Sequence, residues 1–294
     1  MTRLFSLWSV VVFFLAASGA EAAAPPLLIL DVARFRNEDL SVKGSVVEIY
    51  ATVPGQALIY KRRGPKLFQA AATLTLEVLK SDGTAVYQET ITLKPPVLSD
   101  TTISLKNPVS FQKRIALPDG AYTLRGHVRD QYRGGRVTVV DVPLVLEAES
   151  KGLIVSDIVV LARPASKSLE QSNFIRGNFS LTRAPGGLYA RGADQLFFYA
   201  ELYNAAPDQA LQLRYRIRPA DGVKDLLTTA ASATGMAGRS TPVVGNVDIS
   251  KLPAGDYFLT VEVRDAKNKL LSAQKTLLRR NPAEYAPAGA ALSR

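Results

Sequence analysis

Apolar and polar residues alternate along most of the chain with a period of two, the period of a β-strand that buries one face. In residues 67–79, for example, Leu74, Leu76 and Val78 fall on one face, opposite threonines and a glutamate. No window before Gly120 shows sustained helical periodicity. The pattern therefore favours an all-β protein of antiparallel sandwiches, in which each sheet buries one side.

Turn-forming residues divide this pattern into short elements. A Pro-Gly pair at 54–55 and an Asp-Gly pair at 82–83 supply the backbone conformations that tight turns require. The predicted elements are strands over 45–53, 56–60, 67–79 and 86–93, a basic turn over 61–66 and a hairpin turn at 81–83.

The strongest internal signal is a repeat. Residues 117–130 read LPDGAYTLRGHVRD, and residues 252–265, 135 positions later, read LPAGDYFLTVEVRD. In each copy a proline and a glycine form a turn and a tyrosine opens the next strand. These residues are Pro118, Gly120 and Tyr122 in the first copy, and Pro253, Gly255 and Tyr257 in the second. A tyrosine there is typical of the tyrosine corner of immunoglobulin-type sandwiches.

The repeat predicts two tandem sandwiches of the immunoglobulin or fibronectin kind. We place the first domain at 27–147 and the second at 152–280, with a polar boundary between them. The second domain carries an additional segment over 163–191. The proline- and alanine-rich residues 281–294 are predicted to form a disordered tail.

The first 22 residues read as a secretory signal peptide. A basic Thr2-Arg3 start precedes an apolar run over 4–17, and the small residues that follow allow cleavage after Ala20 or Ala22, of which we favour Ala22. The apolar run is shorter than the roughly 18–20 residues that span a bilayer. We therefore expect an exported protein with no transmembrane segment in its mature chain.

The amino-acid composition excludes several kinds of site and indicates the charge of a partner. The chain has no cysteine, which excludes disulfides, cysteine-ligated metals and cysteine nucleophiles, as well as a lipid-modified N-terminal cysteine. The formal net charge is +10, from 36 basic and 26 acidic residues. Such an excess favours anionic partners, such as an envelope polysaccharide or lipid head groups. No nucleic-acid-binding motif is present, and nucleic acid is not an expected partner of an exported protein.

Four segments resemble the N-terminal region of GWxTD domain proteins. They are residues 31–35 (DVARF), 47–50 (VEIY), 117–122 (LPDGAY) and 153–158 (LIVSDI). The resemblance covers about residues 28–280 and implies an envelope protein of Bacteroidota-type bacteria, periplasmic or at the surface of a Gram-negative cell. The only tryptophan, Trp8, lies in the predicted signal peptide, so the mature chain lacks the motif that names the family. Any function of the missing domain does not carry over.

Catalytic chemistry finds little support in the sequence. The only histidine, His127, occupies an outward strand position whose repeat counterpart is Glu262. Asp82, Asp130 and Asp221 stand at turns and are predicted to be turn formers rather than calcium ligands. We predict no catalytic residue, metal or cofactor. A hydrolase with an unrecognised carboxylate pair remains an alternative.

Two basic clusters are the candidate binding residues. Lys61, Arg62, Arg63 and Lys66 crowd one loop, and Arg214, Arg216 and Arg218 share one face of a strand. Each cluster could bind an acidic glycan or a partner protein, or could simply be a solvated surface. The main hypothesis is a non-enzymatic envelope protein that binds or scaffolds another protein. The alternative is a polysaccharide-binding accessory module.

Overall fold

The computed structural model describes residues 27–37, 44–135, 137–147, 151–168 and 175–285. The predicted signal peptide, residues 1–22, lies outside these ranges. Within them the protein is all-β, and its only helical segments are two 3₁₀ turns, Gly55–Ala57 and Pro185–Gly187. No helix in the described ranges has the length and apolar character needed to cross a bilayer.

In the N-terminal unit, residues 27–147, the described part of the chain contains nine strands. They are β1 (Ile29–Phe35), β2 (Ser45–Val53), β3 (Lys61–Gly64), β4 (Leu67–Gln69), β5 (Ala72–Lys80), β6 (Ala85–Leu93), β7 (Val109–Leu117), β8 (Gly120–Asp130) and β9 (Thr138–Leu146). One sheet has the order β1-β2-β7 and the other β6-β5-β8-β9, while β3 and β4 form a separate hairpin. All pairings within this unit are antiparallel.

The described residues of the C-terminal unit, 151–168 and 175–285, contain twelve strands. They are β10 (Ile154–Val155), β11 (Val159–Leu161), β12 (Ser166–Lys167), β13 (Ile175–Arg176), β14 (Phe179–Ser180), β15 (Leu188–Arg191), β16 (Gln195–Tyr203), β17 (Ala210–Pro219), β18 (Leu227–Thr234), β19 (Thr241–Asp248), β20 (Gly255–Arg264) and β21 (Leu270–Tyr285). In one sheet β10, β11 and β19 all pair with β16, and another has the order β15-β21-β20-β17-β18. Strands β12, β14 and β13 form a small third sheet.

The two units repeat one strand order. The main strands of the N-terminal unit, in chain order, are β1, β2, β5, β6, β7, β8 and β9. Those of the C-terminal unit are β10 with β11 as one strand, then β16, β17, β18, β19, β20 and β21. In both units the first, second and fifth main strands form one sheet, and the other sheet has the order fourth, third, sixth, seventh. In the C-terminal unit the first strand is split into β10 and β11, and β15 adds a parallel strand beyond β21. In each unit buried residues from both sheets share one core, as in a β-sandwich.

The alternation in the sequence explains which faces are buried. Leu74, Leu76 and Val78 on β5 are fully buried and contribute to the core between the N-terminal sheets, as the period-two pattern predicts. Across that core lie alternate apolar residues of β2, including Val47 and Ile49. The predicted turn at 81–83 is present, with the Gly83 N–H donating to the Lys80 carbonyl at 2.9 Å.

Several local predictions were wrong. The strand predicted over 56–60 is absent, and Gly55–Ala57 is instead a 3₁₀ turn. The basic turn predicted over 61–66 contains β3, which pairs with β4. The strand predicted over 67–79 is interrupted at the fully buried Ala70 and Ala71, so that it forms β4 and β5. Strand β21 runs on to Tyr285, inside the predicted tail, and residues 286–294 lie outside the described residues.

Candidate functional site

A third apolar cluster lies where the two units meet. Phe35 and Tyr50 of the N-terminal unit pack with Tyr199 of the C-terminal unit, and the ring centroids of Phe35 and Tyr199 are 6.5 Å apart. The other buried members are Ala33, Val159, Leu161 and Leu181. The units are therefore joined by a hydrophobic core of their own as well as by the chain between them.

The additional segment 163–191 brings two arginines to this junction. Strand β13 of its small sheet carries Arg176, which is 8% exposed. Arg183 follows the same sheet and pairs with Leu161 through an isolated bridge. The first unit has no counterpart of this segment in the repeat, so these arginines belong to the C-terminal unit alone.

Arg176 joins two buried glutamates, one from each unit. Its Nε and Nη2 donate to the two carboxylate oxygens of Glu201, at 2.6 and 3.0 Å. Its Nη1 donates to Oε1 of Glu48 at 3.2 Å. The guanidinium also lies over the ring of Phe35, 3.7 Å from the centroid. Because Glu48 is 0% and Glu201 2% exposed, the whole arrangement is removed from water.

Each of the two carboxylates also accepts hydrogen bonds from donors in its own unit. Glu48 accepts from Nε of Arg114 at 2.6 Å, from the Tyr50 hydroxyl and from Nε2 of Gln112 at 3.3 Å. We call the residues Glu48, Tyr50, Arg114, Arg176, Tyr199, Glu201 and Tyr203 the junction network. Buried carboxylates need such pairing because an isolated buried charge is costly.

Two tyrosines flank the second glutamate along β16. The hydroxyls of Tyr199 and Tyr203 donate to the two oxygens of Glu201, at 2.9 and 2.6 Å. The backbone N–H of Glu201 donates to Oγ of Ser156 at 2.9 Å. Each glutamate thus has a tyrosine two residues away on its own strand, although the order is Glu-x-Tyr in β2 and Tyr-x-Glu-x-Tyr in β16.

The network shifts the ionisation of its members. Burial raises the pKa of Tyr199 and Tyr203, and the charge and hydrogen bonding of Glu201 raise both further. Burial and the charge of Glu48 raise the pKa of Tyr50 in the same way. Burial alone would lower the pKa of Arg176, but the bonds and charge of Glu201, with Glu48, raise it overall. The tyrosines remain hydrogen-bond donors and the arginine remains a cation.

A bidentate ion pair adds a second link between the units. Arg34 Nε and Nη2 donate to the two carboxylate oxygens of Asp157, both at 2.8 Å. Nε2 of Gln274 donates to the same carboxylate at 2.8 Å. On the other side, the Gly186 N–H donates to Asp31 at 3.0 Å. The junction is therefore held by apolar packing and by charge-assisted bonds on several sides.

A cavity of about 330 Å³ lies beside the network, between β2 and β7 of the first unit and the additional segment of the second. Its wall is rich in hydroxyl groups and includes Arg163 and Arg183. Arg183 lies over the Tyr50 ring, 4.5 Å from the centroid, and its Nε is 3.5 Å from Oδ2 of Asp31. This is a concave space with mixed polar and apolar lining at an interface between two units, where ligand sites preferentially occur.

The first predicted basic cluster forms an exposed hairpin. Lys61, Arg62 and Arg63 lie on β3, and Lys66 forms the turn to β4 with a positive φ of 49°. The Lys61 ammonium and the Arg63 guanidinium lie 5.1 and 5.2 Å from the centroid of the Tyr132 ring. Within the described part of the chain, no carboxylate forms an ion pair with these four cations.

The second cluster lies on the outward face of β17, where its charge is partly neutralised. Arg214, Arg216 and Arg218 alternate with the buried Leu213, Tyr215 and Ile217. Arg216 lies 3.0 Å from Oε1 of Glu262 and 3.2 Å from Oδ2 of Asp225. Arg214 donates to Oδ1 of Asn268 at 3.3 Å. The two clusters therefore differ in how much positive charge they leave for a ligand.

The repeated turn residues lie at equivalent positions in the two units. Gly120 and Gly255 open β8 and β20, the sixth main strands. The Tyr122 hydroxyl donates to the Pro118 carbonyl at 3.0 Å, and the Tyr257 hydroxyl donates to the Pro253 carbonyl at 3.0 Å. The bond back to the chain that the sequence suggested is present in both copies.

The histidine and two of the acidic candidates, Asp82 and Asp130, have polar contacts within the N-terminal unit. His127 Nε2 lies 2.9 Å from Oε2 of Glu77 on the neighbouring strand. Asp82 and Asp130 accept backbone N–H groups of nearby turn residues, at 2.8 Å from Thr84 and 2.9 Å from Tyr132. No group of three or more metal-ligating side chains occurs among the described residues.

Sequence analysis missed the junction network. One signal was available: Glu48 and Glu201 each interrupt an apolar strand at a buried position, where a lone carboxylate requires a partner. No local feature of the sequence points from either glutamate to Arg176.

Comparisons with known proteins leave the family open. No family model matches this chain. No curated protein matches it either.

Similar solved structures exist, but the likeness is slight. Red sea bream transglutaminase is 13% identical over 88% of this chain and 32% of its own, with a TM-score of 0.24. Bacteroides uniformis β-glucuronidase is 14% identical over 83% of this chain and 27% of its own, with a TM-score of 0.29. A DUF4785 family protein from Legionella pneumophila is 9% identical over 86% of this chain and 57% of its own, with a TM-score of 0.26. At such TM-scores these likenesses support no conclusion about function.

Proposed function

We propose that the chain is an exported, non-enzymatic envelope protein whose two tandem immunoglobulin-like sandwiches bind or scaffold a partner protein. The shared strand order supports the immunoglobulin-like assignment of both units. So does the tyrosine corner on the sixth main strand of each unit. The resemblance to the N-terminal region of GWxTD domain proteins stays a prediction that agrees with this proposal.

The observation that carries the proposal is the junction network. Tandem domains joined by a flexible linker move independently, whereas buried ion pairs and a shared apolar cluster favour one fixed relative orientation. A fixed pair of sandwiches can present both surfaces to one partner without the entropy cost of ordering them first. This is the behaviour that a scaffold needs.

The outward face of β9 offers a surface for a protein partner. Val139 and Val145 are 51% and 48% exposed, and the exposed Pro143 lies between them on the same face. Asp141 also lies on this face, between Val139 and Pro143, and its charge is paired with Arg125. Clustered exposed apolar side chains are more typical of an interaction surface than scattered single ones. The strand is also the last of its sheet.

Site-specific photocrosslinking in the exporting cell tests this proposal. A crosslinking residue at position 139 should capture one defined envelope protein. The same residue at Val86, which is 40% exposed on the opposite edge of that sheet, should not. Capture at neither position, or the same products at both, would contradict a partner on β9. N-terminal sequencing of the mature protein would check cleavage after Ala22 in the same preparation.

The basic hairpin favours a second candidate function, an accessory module for an anionic polysaccharide. Its four cations have no carboxylate partners in the described part of the chain, and Tyr132 offers an aromatic ring beside them. Reversing Lys61, Arg62, Arg63 and Lys66 to glutamate should abolish retention on a polygalacturonate column at low salt. The matched reversal of Arg214, Arg216 and Arg218 should have a smaller effect, because that face is partly neutralised. Equal effects would remove the hairpin from consideration.

The buried glutamates supply an argument against the hydrolase alternative. Glycoside cleavage requires one carboxyl group that can give up a proton and another that reaches the substrate. Glu48 and Glu201 instead share Arg176 and are both committed to arginine and tyrosine donors. Their geometry serves the junction, which supports the non-enzymatic proposal.

A further inference from the structure

The cavity beside the junction network has a wall suited to a small polar ligand. Its volume of about 330 Å³ lies at the lower end of the range for small-molecule sites, roughly 300–1,000 Å³. It is closed on one side by β2 and β7 and on the other by the additional segment 163–191. A ligand there would contact both units at once.

Half of the twelve lining residues carry a hydroxyl group, and that of Tyr50 already donates to Glu48. The six are Tyr50, Thr52, Ser110, Ser168, Ser180 and Thr182. A hydroxyl both donates and accepts, so a set of them can match the hydroxyls of a sugar, which also donate and accept. The Thr52 and Ser110 hydroxyls hydrogen-bond to each other across β2 and β7, with 3.0 Å between their oxygens, and each keeps further capacity to accept from a ligand. The Phe111 side chain adds an apolar face that could contact the C–H groups of a sugar ring.

Two guanidiniums supply the charge, and no lining residue carries a carboxylate. Nε of Arg163 donates to Oγ1 of Thr182 at 2.8 Å, which anchors an otherwise exposed side chain at the rim. Nε and Nη1 of Arg183 are buried and have no hydrogen-bond acceptor, although Asp31 lies 3.5 Å from Nε. Unsatisfied buried donors are rare in folded proteins and require an explanation, which a bound acceptor would supply.

We propose that this cavity binds a hexuronic acid, with the carboxylate held by Arg163 and Arg183 and the ring hydroxyls held by the serine and threonine side chains. Arginine pairs with a planar carboxylate through two parallel hydrogen bonds, which gives direction as well as charge. A neutral sugar would offer no anionic acceptor to the Nε and Nη1 groups of Arg183. A bare phosphate would leave the hydroxyl wall unused. The site is separate from β9 and from the basic hairpin.

Titration calorimetry on the mature chain tests the proposal with three probes: glucuronate, glucose and inorganic phosphate. We expect saturable binding of one glucuronate per chain, with glucose at least tenfold weaker because it lacks the charge-assisted bonds. Phosphate should bind more weakly than glucuronate and should be insensitive to the loss of a wall hydroxyl. No binding of glucuronate, or equal binding of glucuronate and phosphate, would overturn the proposal.

Variants separate the charge from the hydroxyl wall. Arg163→Gln should weaken glucuronate at least tenfold and leave the thermal midpoint unchanged, because Arg163 is exposed and outside the junction network. Thr52→Val should weaken glucuronate and glucose by the same factor. Arg214→Gln, on the outward face of β17, should change neither affinity. Unaltered glucuronate binding by Arg163→Gln would refute the assignment.

The calorimetric test of the cavity does not depend on either of the proposed partner-binding functions. Charge reversal of the hairpin at residues 61–66 should leave glucuronate affinity at its original value, since none of those residues lines the cavity. Failure of crosslinking at Val139 would likewise leave the calorimetry unaffected. Loss of glucuronate binding in the hairpin variant would place the site on the hairpin and overturn the cavity proposal.

Discussion

The two units share their strand order and their turns, yet they contribute differently to the junction. Each has a tyrosine corner on its sixth main strand and one core between two sheets. Only the C-terminal unit has the additional segment 163–191, and that segment supplies Arg176 and one wall of the cavity. The unrepeated segment therefore adds contacts between the units to those made by the apolar cluster and by Arg34 and Asp157.

The glutamates show the same asymmetry in detail. Glu48 keeps Arg114, Tyr50 and Gln112 from its own unit, even without the C-terminal unit. Glu201 has Arg176 as the only arginine among its hydrogen-bond partners in the described residues. Loss of Arg176 would therefore damage the C-terminal unit more than the N-terminal one. The difference gives predictions that can be ranked by their expected effect on stability.

The largest effect should come from Arg176→Met. The substitution leaves Glu201 buried without a cation, and breaking a buried ion pair in this way costs about 3–5 kcal/mol. The free energy of unfolding, measured by urea denaturation, should fall by that amount. The double variant Arg176→Met/Glu201→Gln should recover part of the loss, because no unpaired charge remains. If the double variant were no more stable than the single one, the carboxylate would not be the source of the cost.

Alkaline pH should give the next effect, through the tyrosines of the network. Tyr50, Tyr199 and Tyr203 have pKa values raised by folding, so the unfolded chain releases their protons first as pH rises above about 10. Their contribution is complete below that pH and is lost above it, by about 1.4 kcal/mol per pH unit for each tyrosine. Urea denaturation at several pH values between about 9 and 11 should show this fall in the free energy of unfolding.

Tyr199→Phe separates this network effect from general alkaline damage. It removes one titrating group, so the slope of unfolding free energy against pH should become shallower by one proton. The neutral-pH stability should also drop, because Glu201 loses a donor. An unchanged slope would mean that Tyr199 does not retain its proton in the folded chain.

The sequence predicted the parts of the fold that local pattern determines. Alternation and the Asp-Gly turn are local features, and they identified β5, β6 and the hairpin between them. The strand predicted over 56–60 does not form, because the Ile59 N–H donates to the distant Asp130 side chain at 2.7 Å instead of to a neighbouring strand. The interruption at 70–71 also depends on tertiary structure, since Phe68 exchanges backbone bonds with Leu98.

The candidate site could not be predicted for the same reason. Arg176 and Glu48 are 128 residues apart in the sequence, and Arg176 stands in a segment that the repeat does not explain. Charge clustering in the sequence identifies only cations that lie close together along the chain. It does not find a single arginine placed between two carboxylates by the packing of two units. The buried position of each glutamate was the only available clue.

A smaller effect should come from the tyrosine corners, where the two units are alike. Tyr122→Phe and Tyr257→Phe each remove one hydroxyl bond to a backbone carbonyl, at 3.0 Å in both units. Each should cost about 1 kcal/mol, the usual net value of such a bond. Thermal and urea unfolding should show similar losses for the two variants. A loss confined to one of them would show that the corner contributes differently in the two units.

The smallest effect should come from an exposed pair whose geometry is as good as that of Arg176 and Glu201. Arg125 Nε and Nη2 donate to the two oxygens of Asp141 at 2.8 and 2.7 Å, and both side chains are more than a third exposed. The pairing lowers the pKa of Asp141, but water screens and replaces it readily. Arg125→Gln should therefore leave the urea midpoint nearly unchanged, within the error of the measurement. A loss comparable to that of Arg176→Met would mean that bidentate geometry, rather than burial of the carboxylate, determines what an arginine contributes to this protein.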